Sequence, residues 1–161
     1  MAPLGQEQTT GQWLELARQA RESGMVFLLL TGGEPFLHPE FDRILAGMLD
    51  MGLQVSINTN GTLIDRKWAE FLSIHRPTRI NLTLYGASEE AYRALCGSGD
   101  AYRRVVEAVA LLKEYRIPLK FNASITPENV KDLPDMIAFA KEQNCPIQVA
   151  TYMFPPLRRD S

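Results

Sequence analysis

Cysteine is scarce in this chain. Cys96 and Cys145 are its only two in 161 residues, and 49 positions separate them. Such a pair makes no disulfide framework, so a reducing cytoplasm is the expected compartment. It also cannot supply the converging thiolates of an iron–sulfur cluster. Charge of one sign is lacking too. Seventeen basic residues against 19 acidic ones leave a formal net charge of −2. That balance gives no electrostatic basis for nucleic acid or an anionic membrane as partner. Arg76 with Arg79, and Arg158 with Arg159, are short clusters that read as solvated surface. No apolar run approaches the roughly 20 residues of a membrane span, and no signal-peptide pattern precedes Trp13. The two histidines, His38 and His75, have no neighbours at ligand spacing. Both read as structural or exposed, and no residue is assigned to a metal.

What the chain does contain is ordinary for a globular domain: 45% hydrophobic and 22% charged residues, in a length that suits one core. Helical and strand periodicities alternate along it. Helices are expected over Thr10–Ser23, Pro39–Met51, Asp65–Ser73, Ser88–Leu95, Asp100–Tyr115 and Asn129–Gln143. Strands are expected over Met25–Leu30, Leu53–Asn58, Arg79–Leu84, Leu119–Ile125 and Ile147–Tyr152. Three of the four intervals between strand starts are 26 to 28 residues, the size of one strand–helix unit. Repeated right-handed units of this kind make a parallel sheet. Five strands cannot close an eight-stranded barrel. The expected fold is therefore α/β, a partial (βα) TIM-like barrel with a curved parallel sheet; a flatter doubly wound sheet is the alternative. Val26 to Leu30, apolar throughout, reads as a strand buried on both faces. Met25, Met48, Met51, Met136 and Met153 read as core filler.

The most specific stretch is Leu28-Leu29-Leu30-Thr31-Gly32-Gly33-Glu34-Pro35-Phe36-Leu37-His38-Pro39. Two glycines fall where an apolar strand ends, letting backbone approach a ligand closely. A carboxylate and a rigid proline follow. Ligands bind at the carboxyl ends of parallel strands. One βα unit later comes Asn58-Thr59-Asn60-Gly61-Thr62, and after the next strand Leu82-Thr83-Leu84-Tyr85-Gly86. Together these segments, in this order and over roughly residues 10 to 157, resemble the core of the radical SAM enzymes. Thr83 stands where serine is usual in that family and keeps the hydroxyl. Leu84-Tyr85-Gly86 and the Phe154-Pro155-Pro156-Leu157-Arg158 exit resemble a branch with auxiliary iron–sulfur clusters in a C-terminal region, which includes peptide-modifying and sulfatase-maturing enzymes. That branch often has arginine before the glycine corresponding to Gly97, and Cys96 occupies the place here.

The resemblance implies two cofactors, S-adenosylmethionine and a [4Fe–4S] cluster held by a Cys-x3-Cys-x2-Cys motif. This chain has no such motif, so residues 1–161 are expected to be a single truncated core domain. Its first strand and cluster loop are missing, residues 1–8 are linker, and 153–161 form an exit segment. The complete enzyme would use an electron donor to cleave S-adenosylmethionine to a 5′-deoxyadenosyl radical, acting on an unidentified substrate for which the resemblance points to a peptide or protein. The implied binding residues are Gly32, Gly33, Glu34, Asn60, Thr83 and Tyr152. The glycine carbonyls and Glu34 would serve the ammonium, Asn60 the carboxylate or ribose, Thr83 the ribose, and Tyr152 the adenine. No catalytic residue is assigned. Asn122 and Ser124, alternating with Phe121 and Ala123, are candidates for the barrel interior. An exposed sheet edge could pair with a second copy of the chain. Two other functions fit the residues: a cluster-free βα lyase or aldolase using Glu34 as acid or base, and a non-catalytic domain binding a nucleoside or a partner protein.

Overall fold

The computed structural model describes residues 8–150. Tyr152, Met153, the exit segment and most of the N-terminal linker lie outside the described residues. Among the described residues five strands are present: β1 (Phe27–Leu30), β2 (Gln54–Thr59), β3 (Arg79–Leu84), β4 (Leu119–Ser124) and β5 (Ile147–Ala150). Six helices accompany them: α1 (Thr10–Glu22), α2 (Phe41–Asp50), α3 (Arg66–Ile74), α4 (Glu89–Cys96), α5 (Asp100–Glu114) and α6 (Leu133–Glu142). All strand pairs are parallel and lie in sequence order, β1-β2-β3-β4-β5. Right-handed crossovers between sequential neighbours put every connecting helix on one face. That excludes the doubly wound alternative, in which the strand order reverses and helices cover both faces.

The register separates the two faces cleanly. Leu30 aligns with Ile57, Ile57 with Ile80, Ile80 with Leu119, and Leu82 with Phe121. Val55, Ile57, Ile80, Leu82 and Phe121 are fully buried beneath the helices, with Leu45, Leu72, Leu112 and Met136 packed against them. The opposite face carries Ser56, Asn58, Asn81, Thr83, Lys120, Asn122, Ser124 and Gln148, and no described helix covers it. Alternation along each strand follows from the two-residue side-chain period.

Local chemistry sets the helix ends. The Thr9 hydroxyl and Gln12 form a capping box that opens α1, and the Asp65 and Ser88 side chains accept from Trp68 N and Ala91 N to open α3 and α4. The helix expected over Asn129–Gln143 begins later. Val130–Asp132 is a 3₁₀ turn, and α6 starts at Leu133 with Pro134 in its first turn, where a missing N–H costs nothing. Another short 3₁₀ turn, Pro35–Leu37, follows the paired glycines.

One expectation fails. β1 is not buried on both faces: Phe27 is 68% exposed, Leu29 51% and Val26 48%. It is an edge strand on a sheet whose second face is open, so only Leu28 and Leu30 meet the core. Met25, also exposed, is likewise no core filler, whereas Met48 and Met136 are.

Candidate functional site

The β1 exit holds Gly32 and Gly33, both exposed. Gly32 has φ 152°, a conformation that L side chains rarely adopt, and a Cβ at either glycine would meet no atom within 4 Å. The turn thus presents bare backbone to open space. It borders a cavity of about 340 Å³ that is also lined by Trp13, Leu29, His38 and Phe41. His38 accepts from Glu40 N through Nδ1, and His75 ends α3 stacked on Phe71.

Glu34 ties this turn to the next strand. Its Oε1 accepts from Thr59 Oγ1 at 2.8 Å and from Phe36 N at 3.2 Å; its Oε2 accepts from Asn60 N at 2.8 Å. Three protein donors thus engage a carboxylate with about four acceptor sites. The Thr59 hydroxyl in turn accepts from Gly61 N at 3.0 Å. Behind it Phe36 is buried edge-on against Phe41 and Trp68, with ring centroids 4.9 Å apart in each pair. The turn is therefore bolted down on one side and open on the other. Such a carboxylate is an anchor first, which also weakens the acid–base reading of Glu34.

Asn60 closes the β2 exit as a local turn: its Oδ1 accepts from Thr62 N at 2.9 Å and from the Thr62 hydroxyl at 2.7 Å. Its Nδ2 donates to nothing among the described residues. Gly61 has φ 77°, and a Cβ there would lie 2.7 Å from Leu82 Cδ1. Glu34 and Asn60 are thus brought together by a direct hydrogen bond. Thr83 stands at the carboxyl end of β3 on the open face, half-buried, in register with Asn122. No described residue hydrogen-bonds its hydroxyl, so no hydrogen bond joins it to Glu34 or Asn60. Three consecutive strands therefore bring these side chains to one end of the sheet.

Asn129 was missed as anything but a helix residue. It is 1% exposed; its Nδ2 donates to Tyr85 O and Ser124 O at 3.0 Å each, and its Oδ1 accepts from Thr126 N at 2.8 Å. It fixes the β3 and β4 exits to each other. The pattern Thr126-Pro127-Glu128-Asn129 directly after a strand is the signal that could have found it.

Neither thiol is activated: burial pushes both Cys96 and Cys145 up from the ordinary thiol value. Among the described residues no group of three His, Cys, Asp or Glu side chains could hold a metal ion.

A family model described as the radical SAM superfamily matches residues 1–140. An AdoMet-dependent heme synthase of Methanosarcina barkeri is 27% identical over 158 residues, spanning 98% of this chain and 45% of its own. A PqqA peptide cyclase of Gluconobacter oxydans is 29% identical over 136 residues, spanning 84% and 38%. The chain spans less than half the length of these curated relatives. Among solved structures, Streptococcus suis SuiB bound to precursor peptide SuiA superposes with a TM-score of 0.81 at 21% identity, over 92% of this chain and 34% of that one. Native anSMEcpe with bound AdoMet gives 0.73 at 22%, over 89% and 42%. At these identities the structures establish a shared fold.

Proposed function

Since this chain belongs to the radical SAM superfamily, we propose that its paired-glycine turn is the S-adenosylmethionine site of an enzyme that modifies a peptide or protein. One observation carries the reading: Gly32 and Gly33 are held rigidly from below through Glu34 while their own Cβ positions face empty space. A ligand approaching the two glycines meets bare backbone at the turn itself, which fits the ammonium of S-adenosylmethionine. The free Nδ2 of Asn60 fits its carboxylate or ribose, and the unengaged Thr83 hydroxyl fits the ribose. Glu34 keeps the turn in shape. Tyr152, assigned to the adenine, lies outside the described residues.

The family's other cofactor, the [4Fe–4S] cluster, does not fit the side chains of this chain. Cys96 ends α4 and Cys145 precedes β5, and two separated thiols cannot converge as three. We place the cluster ligands, the electron donor and any auxiliary clusters outside these 161 residues. When bound, S-adenosylmethionine would be the group cleaved by an electron delivered through the cluster, while the paired-glycine turn, Asn60 and Thr83 would hold it, orient it and limit its contact with water. The names of the relatives, a peptide cyclase and a protein bound to a precursor peptide, support a peptide substrate. No described helix is long and apolar enough to cross a membrane, and the two free cysteines fit a cytoplasmic setting.

Gly33→Ala tests this reading. Its Cβ enters open space at an unstrained φ, so stability should change by less than about 0.5 kcal/mol. The same methyl occupies the ligand's place, so S-adenosylmethionine affinity, read by calorimetry, should drop at least about tenfold. Unchanged affinity would remove the turn from the site.

A further inference from the structure

The five strands contain Arg79 and Lys120 but no aspartate or glutamate. A chain with more acidic than basic residues has kept every carboxylate out of its described strands. Both cations belong to the uncovered face: Lys120 is in register with Asn81, and Arg79 lies two residues before it. Neither is neutralised. The Lys120 ammonium donates to the Gln148 amide, and Arg79 Nε donates to Asn81 Oδ1 at 2.9 Å. Neither forms an ion pair among the described residues. Two charges on amide partners, Lys120 half-buried in a concave polar surface and Arg79 exposed beside it on the same face, leave an uncompensated positive field there.

That surface is a groove of about 350 Å³ lined by Leu29, Asn58, Asn81, Lys120, Asn122 and Ser124, among others. Its amides are linked in a chain, with Asn81 Nδ2 donating to Asn58 Oδ1 at 2.8 Å. Asn122 hydrogen-bonds no described side chain. Primary amides match the donors and acceptors of a peptide backbone. From Lys120 to Ser124 the groove runs about 13 Å at 3.3 Å per residue, room for about four residues of extended chain.

We propose that the open face of the sheet binds an extended acidic peptide, whose carboxylate docks between Lys120 and Arg79 while its backbone follows the Asn58, Asn81 and Asn122 amides. The identification of that peptide as the substrate rests on the proposed function; the anion-binding groove itself does not. The carboxylate would anchor the peptide toward the amino ends of the strands. Its neighbouring residues would then extend toward Thr83 and the paired-glycine turn at the carboxyl ends.

The test uses the 161-residue chain, isotopically labelled, and three blocked pentapeptides of alanine with a central Glu, Gln or Lys. NMR titration at low salt should give the Glu peptide about tenfold higher affinity than the Gln peptide, the scale of one charged hydrogen bond. The shifted side-chain amides should be those of Asn81, Asn122 and Gln148. Lys120→Met should abolish the preference and Lys120→Arg should keep it, with far-UV dichroism verifying the fold of each. Lys113→Met, on the exposed side of α5, should change nothing. Equal affinity for the Glu and Gln peptides, no binding, or a preference that survives in Lys120→Met with Arg79→Met overturns the proposal. So does equal displacement by inorganic phosphate, or perturbation of the same amides by protein concentration alone, which assigns the face to a second copy. S-adenosylmethionine is titrated separately, and Lys120→Met should leave that affinity unchanged. Loss of nucleoside binding with intact acidic preference therefore rejects the proposed function and keeps the groove.

Discussion

Glu34 directs its acceptor capacity inward, to Thr59, Asn60 and Phe36, and this separates two kinds of residue at the proposed site. Gly33 is open, so changing it should harm only binding. Glu34 is engaged, so changing it should harm the fold first. Glu34→Ala leaves the Thr59 hydroxyl and Asn60 N–H without their partner. Urea unfolding should show a loss of about 1–3 kcal/mol with an unchanged slope. S-adenosylmethionine affinity should fall as well, because the turn loses its anchor. A variant as stable as the parent would show that Glu34 does not hold the turn. The residues of this corner were legible as a motif, Gly32 to Pro35, because glycine and proline have few other reasons to stand together after an apolar strand. The inward use of Glu34 was not legible, since nothing in its neighbours along the chain says that Thr59 and Asn60 will lie beside it.

At the scale of elements, α4 docks on the β3 exit through a buried aromatic. Tyr92 packs between Tyr85 and Tyr102, and its hydroxyl accepts weakly from Tyr85 N at 3.4 Å. Burial pushes the Tyr92 phenol well above the ordinary tyrosine value, and burial raises Tyr85 and Tyr102 in the same direction. The sign follows from proton counting. Above about pH 10 an unfolded tyrosine loses its proton while the buried one keeps it, so the native state binds more protons and stability falls as pH rises. Unfolding curves from pH 8 to 11 should show this alkaline loss, and Tyr92→Phe should flatten it. A slope unchanged in that variant would mean that other groups govern the alkaline limb. β1, like β5, has a single neighbour among the described strands, and β1 is apolar throughout. Its exposed Phe27 and Leu29, beside unpaired backbone groups, form an apolar edge of the kind that recruits another strand. We expect concentration-dependent association in sedimentation, abolished by Phe27→Lys with Leu29→Lys; a monomer at all concentrations would rule out the edge-strand dimer. Strand existence was readable from apolar periodicity. The exposure of β1 was not, because an all-apolar run looks alike at a sheet centre and at an edge that lacks cover.

Across the whole molecule, sequential parallel order and one-sided helices follow from the 26-to-28-residue spacing of the strand–helix units and the handedness of their crossovers. The same geometry creates a polar open face, foreshadowed only by Asn122 and Ser124 alternating with Phe121 and Ala123. The cross-strand partners Asn58, Asn81 and Gln148 become visible only once register is known. Asn129 was hidden for a related reason: its hydrogen bonds join two strand exits 44 and 5 positions away along the chain. A [4Fe–4S] cluster in this family needs three converging thiolates, and one copy of this chain has two cysteines, on α4 and before β5. Their raised pKa values keep them as thiols at neutral pH, which disfavours metal capture further. Anaerobic reconstitution of the 161-residue chain with iron and sulfide should therefore leave no stoichiometric cluster by visible or EPR spectroscopy. Reductant with S-adenosylmethionine should release no 5′-deoxyadenosine. A full cluster that vanishes in Cys96→Ser or Cys145→Ser would mean that copies of the chain pool their thiols, and that the ligands need not come from elsewhere in a longer protein.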